Sequence, residues 1–245
     1  MKKGKRIIKI IGVILAALVL VALGICFSDR QSDKQAANID SEKTNIDFEE
    51  TTIAEVESIF DAGSDLHITE ISSYSGPYME DGSDEEVTDV MMIQVENRAE
   101  LPLQYAEITL TSEEGESLFK LSTLNPGEAV MVLEANRKEF DKKEEFTQAV
   151  SENVAFFETT LNTCEDIFRI QGLDGGLNIR NISEEDVTDE IVIYFKDFKD
   201  GELMGGITYR GRIENGLRAG EIQQMMSENF TQEHTKVMFV TIAGR

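Results

Sequence analysis

The 245-residue chain has no tryptophan, two cysteines, two histidines and less than half as many basic as acidic residues. Each shortage removes a class of function. Without indole faces it lacks the usual stacking platform for carbohydrate. Cys26 lies inside an apolar run and Cys164 stands alone beyond it, so no intramolecular disulfide framework is available and stability must come from packing. There is no CxxC pair, and His67 and His234 are too far apart in sequence to form a zinc pattern. No GxSxG elbow, HExxH helix, P-loop or GxGxxG occurs.

The net charge is −24, from 23 Lys+Arg against 47 Asp+Glu. Five of the basic residues are Lys2, Lys3, Lys5, Arg6 and Lys9, so the rest of the chain carries 18 basic against 47 acidic residues, a balance of −29. Such a surface repels nucleic acid and anionic headgroups, which excludes a nucleic-acid partner, and it keeps a domain in solution.

The basic cluster (residues 1–9) precedes eighteen uncharged residues, Ile10 to Phe27. That length crosses a hydrocarbon core as one helix, and the flanking charge puts the N-terminus in the cytoplasm and the bulk of the chain outside the cell membrane. Two other fates are open to residues 10–27. Ala22-Leu23-Gly24 offers small residues to a signal peptidase. Leu23-Gly24-Ile25-Cys26 sets a cysteine at lipoprotein depth, with Ile25 where that processing wants a small residue. Residues 28–60 are polar and read as a stalk, with a short amphipathic helix over Thr51–Phe60 carried by Ile53, Val56, Ile59 and Phe60.

From Asp61 onward, short apolar and β-branched runs alternate with Gly, Asn, Asp and Pro, which predicts a mainly β chain. The runs are Leu66–Ile71, Asp89–Glu96, Ala106–Leu110, Ser117–Leu121, Glu128–Leu133 and Asn153–Phe157. A second set follows at Ile167–Ile170, Gly176–Ile179, Glu190–Phe195, Gly206–Arg212, Glu221–Met226 and Lys236–Ile242. The sets repeat one another. Gln94-Val95-Glu96-Asn97 matches Asn178-Ile179-Arg180-Asn181, and Gly127–Asn136 matches Gly220–Asn229 in length from Gly-Glu to Asn. The expected organisation is two tandem immunoglobulin-like β-sandwich domains, residues 61–160 and 161–245.

The pattern Val95-x-Asn97, Leu103-x-x-Ala106-x-Ile108-x-Leu110, Gly115, Leu124-x-Pro126-Gly127-Glu128 resembles the FxLYD-like, fibronectin-like repeats of bacterial membrane-anchored extracytoplasmic proteins. The second copy keeps the Asn, the Gly and a Leu217-x-Ala219-Gly220-Glu221 turn without the proline. The resemblance implies a cell-envelope interaction role and brings no catalytic residue set.

Single residues add little chemistry. His67 is expected on the solvent side of its strand, and Cys164 packed against its neighbours. Ser117-Leu118-Phe119-Lys120 spells SxxK, but a strand would send Ser117 and Lys120 to opposite faces. Asn181-Ile182-Ser183 and Asn229-Phe230-Thr231 are formal glycosylation sequons. The acidic loops Glu80–Glu86 and Asp197–Glu202 carry the oxygen ligands calcium favours, without EF-hand spacing, and read better as solvated loops. Catalytic, cofactor-binding and metal residues are therefore assigned as none.

The reading is a non-catalytic binding protein of the cell envelope, with loops 76–88 and 197–205 as contact candidates. Two rivals remain: an accessory subunit of a membrane transporter or signalling system, and an exported enzyme of unrecognised type. The enzyme predicts a deep pocket with paired carboxylates of perturbed pKa where the domains meet.

Overall fold

The computed structural model describes residues 57–83 and 85–244. The Ile10–Phe27 segment and most of the stalk lie outside the described residues. Of the helix expected over Thr51–Phe60, residues 51–56 also lie outside. Glu57–Ile59 are not helical, and Phe60 opens a strand.

Among the described residues the chain is mainly β, with no helix. The strands are β1 (Phe60–Asp61), β2 (Leu66–Pro77), β3 (Glu86–Asn97), β4 (Leu103–Ser112), β5 (Gly115–Leu124), β6 (Ala129–Leu133), β7 (Phe146–Phe156), β8 (Phe168–Leu173), β9 (Gly176–Asn181), β10 (Ile191–Lys199), β11 (Glu202–Ile213), β12 (Ile222–Met226) and β13 (Thr235–Ile242). Most are longer than the apolar runs that signalled them. In β7 the exposed residues Thr147, Gln148, Glu152 and Asn153 hide the alternation, so the sequence signal begins seven residues late.

In the N-terminal half, β3 lies between β2 and β6, and β4 between β5 and β7. In the C-terminal half, β9 lies between β8 and β12, and β10 between β11 and β13. All of these pairings are antiparallel. The arrangement is consistent with a β-sandwich. Val95, Ile108, Phe119 and Val130 belong to one buried apolar cluster, and Ile179, Ile193, Phe195 and Met225 to another.

The halves are joined through a sheet. β6 pairs in parallel with β11 through Leu203↔Val130 and Met204↔Met131. One seven-stranded sheet results, in the order β1-β2-β3-β6-β11-β10-β13, beside two three-stranded sheets, β5-β4-β7 and β12-β9-β8. Phe239 of β13 belongs to the first cluster, stacking on Tyr194 at 4.1 Å and meeting Phe157 edge-on at 5.5 Å. The described residues accordingly form a single compact unit.

The repeat extends to individual atoms. Asn97 Nδ2 donates to the carbonyls of Leu101 (3.1 Å) and Leu124 (2.9 Å), and Oδ1 accepts from Ala99 N–H (3.1 Å). Asn181 Nδ2 donates to Glu185 (2.8 Å) and Leu217 (3.0 Å), and Oδ1 accepts from Ser183 N–H (3.0 Å). The Asn97 and Asn181 N–H groups donate to the carbonyls of Glu128 and Glu221, and their carbonyls accept from Gly127 and Gly220. Both side chains are fully buried, with neither amide group left unsatisfied, because the loops wrap around them. Asn181 is therefore sealed in the fold and is no glycan acceptor in the folded chain.

Candidate functional site

Of the two contact candidates, residues 197–205 form a hairpin, the end of β10 and the start of β11 about Asp200-Gly201, and the parallel join sets β11 beside the segment that follows β2. Just after β2, Tyr78 and Met79 are buried against one face of the large sheet, packed with Val90, Met92, Met131 and Leu133. The acidic loop that follows is exposed at Asp81, Gly82, Ser83, Glu85 and Glu86, as a solvated loop should be, and Glu80 alone turns inward. Tyr78 Oη donates to the carbonyls of Glu134 (3.0 Å) and Ala135 (3.1 Å), and burial pushes its phenol up to about 12. Arg137 lies 4.4 Å from the Tyr78 ring centroid and binds Asp81 (2.8 Å) and Glu85 (2.6 Å), strapping the loop down.

Glu80 reaches the join itself. Its Oε1 accepts from Leu133 N–H at 2.9 Å and its Oε2 from Gly206 N–H at 2.8 Å. Burial pushes its carboxyl up to about 7, against the pull of those two donors and of Lys196. Lys196 is fully buried and donates to the carbonyls of Gly205 (3.1 Å), Gly206 (3.0 Å) and Ile207 (2.8 Å). Burial draws its ammonium down to about 7, opposed by Glu80, Asp197 and Glu128. Three carbonyl acceptors match the three N–H bonds of an ammonium, whereas a neutral amine has two.

Gly206 is the hub. Its N–H goes to Glu80, and its carbonyl accepts from both Lys196 and Ser122 Oγ (3.0 Å). A Cβ there would sit 1.8 Å from the Lys120 carbonyl oxygen, so only glycine lets β11 pass this close to β5. Gly205 beside it holds φ +78, in the left-handed region.

A cavity of about 410 Å³ opens beside this cluster, lined among others by Tyr78, Glu80, Asp81, Tyr105, Lys120, Arg137 and Gly206. Two carboxylates therefore do border a cavity between the halves, in environments that push them apart. Burial raises Glu80, while hydrogen bonds from Ser83 and then Arg137 lower exposed Asp81. Glu80 accepts from a backbone N–H at each oxygen, so both oxygens are engaged in holding the strands.

The remaining sequence candidates lie elsewhere. Ser117 is buried, accepting from Lys138 Nζ at 3.2 Å, and Lys120 is exposed on the opposite face of β5. His67 is half-buried rather than on the solvent side, because β1 sets Asp61 opposite it, and its Nδ1 is buried without a partner. Cys164 packs against the second apolar cluster. Among the described residues no group of three or more His, Cys, Asp or Glu is placed to hold a metal ion, and no helix is long and apolar enough to cross a membrane.

Lys196 escaped the sequence reading because an Ile-Val-Ile-Tyr-Phe-Lys run looks like a strand meeting solvent. The only signal was Gly205-Gly206 inside the following strand, a mark of close backbone approach. No protein-family model, curated protein or solved structure matches the chain.

Proposed function

We propose that the chain is a membrane-anchored, extracytoplasmic binding protein of the cell envelope, non-catalytic, carrying two fused immunoglobulin-like sandwiches of the FxLYD-like kind. Ile10–Phe27 and its basic flank supply the anchor, and the acidic remainder faces outward. The observation that carries the reading is the use made of the buried charges. Glu80 and Lys196 are engaged by two backbone N–H groups and three carbonyls, which supports a structural role at the join. Recognition then falls to surfaces: strand edges and end loops.

The enzyme reading keeps one observation, the opposed environments of Glu80 and Asp81 beside a cavity. Crosslinked capture from membranes discriminates, using the full-length protein, a soluble form beginning at Asn45, and Glu80→Gln in both. Binding by the β body predicts that one partner is captured by all forms and, once purified, binds the soluble form directly. Capture by the full-length protein alone overturns this in favour of an accessory subunit acting through its anchor. Glu80→Gln abolishing turnover of a captured substrate supports the enzyme.

A further inference from the structure

The two halves differ at one lateral opening of the strand layers. In the N-terminal half that opening is filled by the chain itself. β1 lies along β2 with Phe60↔Ile68 and Asp61↔His67, the Ile68 carbonyl accepts from Ile59 N–H (2.7 Å), and Phe60 packs on the first apolar cluster. On the far side Ser151 N–H of β7 donates to the carbonyl of Ala62 at 2.6 Å.

The repeat fixes the counterparts. Leu66 pairs with Asn97 and Phe168 with Asn181; Ile68 pairs with Val95 and Ile170 with Ile179. Since Asn97 corresponds to Asn181, Arg169 stands where His67 does, and Ile170 where Ile68 does. The bond from β7 recurs as Val240 N–H of β13 to the carbonyl of Asn162 at 2.8 Å, making Asn162 the counterpart of Ala62.

Upstream of Asn162, however, the chain comes from the first half. Leu161 and Phe157 pack on the first cluster, so nothing plays the part of β1. Among the described residues β8 ends its sheet with no strand along its outer side. A groove of about 530 Å³ lies there, lined among others by Glu165, Phe168, Arg169, Ile170, Thr235 and Val237. Arg169 is exposed and makes no ion pair among the described residues.

The geometry points to this groove as a docking site for an extended peptide strand of a partner protein, added along β8 as β1 is added along β2, with an apolar side chain opposite Ile170 and an acidic one opposite Arg169. The inference rests on the binding-protein reading and names the site and the partner's chemistry. Main-chain pairing supplies affinity, and the apolar pocket with the Arg169 cross-strand pair supplies register. Asp61 stands opposite His67 in the matching register, and an arginine at the His67 position is the side chain that would bind a carboxylate placed there.

The chain's own β1 sequence provides the probe. A labelled peptide Val-Glu-Ser-Ile-Phe-Asp-Ala-Gly, as in residues 56–63, is titrated against full-length protein in detergent by fluorescence anisotropy. Saturable binding is expected. Phe→Ala in the peptide should weaken it roughly tenfold or more. Arg169→Glu in the protein should weaken it about three- to tenfold, with recovery when the peptide's Asp becomes Lys. Arg169 is exposed, so that variant keeps the fold.

No saturable binding up to millimolar protein, while the crosslinked partner is still captured, overturns the groove and leaves the binding-protein reading standing. Equal binding by Arg169→Glu overturns the register. Self-association of the protein that the peptide dissolves, seen by sedimentation, assigns the groove to a second copy and overturns the partner.

Discussion

At the scale of single residues, the join concentrates its dependence on Gly206. Gly206→Ala places a methyl on the Lys120 carbonyl, which cannot yield as a flexible side chain would; a loss of about 2–4 kcal/mol is expected from urea unfolding midpoints. The two buried asparagines make a matched test. Asn97→Asp and Asn181→Asp each replace a two-carbonyl donor by an acceptor, and each should cost about 3 kcal/mol or more, because their partner sets are the same. A loss at one and not the other would break the equivalence. Glu80 gives a pH signature. Its folded pKa stands above the unfolded value, so the folded chain holds the proton more tightly, and the stabilisation present below pH 4.5 is lost as pH rises through about 7. Lys196 runs the other way: its depressed pKa costs stability below about 7, and that cost is relieved as pH rises toward 10.5. The urea midpoint of wild type should therefore fall between pH 4.5 and 7 relative to Glu80→Gln, whatever the absolute loss from the substitution. Parallel curves for the two proteins would rule this account out.

At the scale of elements, the strands were legible where one face meets a core and the other meets water. Ile68 and Val95 carry that alternation in their strands, and the Asn and Gly-Glu turns recur because each closes a loop with local hydrogen bonds. β1 was not legible. Two residues carry no periodicity, and Phe60 was read with Ile53, Val56 and Ile59 as a helical stripe when its pairing with Ile68 lies eight residues downstream. The burial of Tyr78 and Met79 was equally hidden, since the face they cover is assembled from β3, β6 and the neighbouring half. Edge strands carry their own prediction. Met226 is 71% exposed on β12, with Ile222 exposed on the same side. Met226→Lys should leave the unfolding midpoint within roughly 0.5 kcal/mol of wild type while raising the concentration at which the protein begins to associate, read by light scattering. A clear fall in stability would mean that the strand is covered.

At the scale of the whole molecule, two apolar clusters share one sheet, and Phe239 of the last strand sits in the first cluster. Unfolding should accordingly be a single cooperative transition by calorimetry, its van't Hoff and calorimetric enthalpies agreeing. Two resolved transitions would mean that the halves are energetically independent. The repeat was visible in the sequence, but the join was not, because Leu203↔Val130 and Met204↔Met131 pair residues more than seventy positions apart with no local mark. The same join marks a difference between the copies. Val130 and Met131 are where β6 pairs with β11, and in β12 the matching positions, opposite Ile179 and Asn178 as theirs are opposite Val95 and Gln94, are Gln223 and Gln224. A valine and a methionine drawn into the apolar interior of the join are thus replaced by two exposed amides, which water solvates without a neighbouring strand.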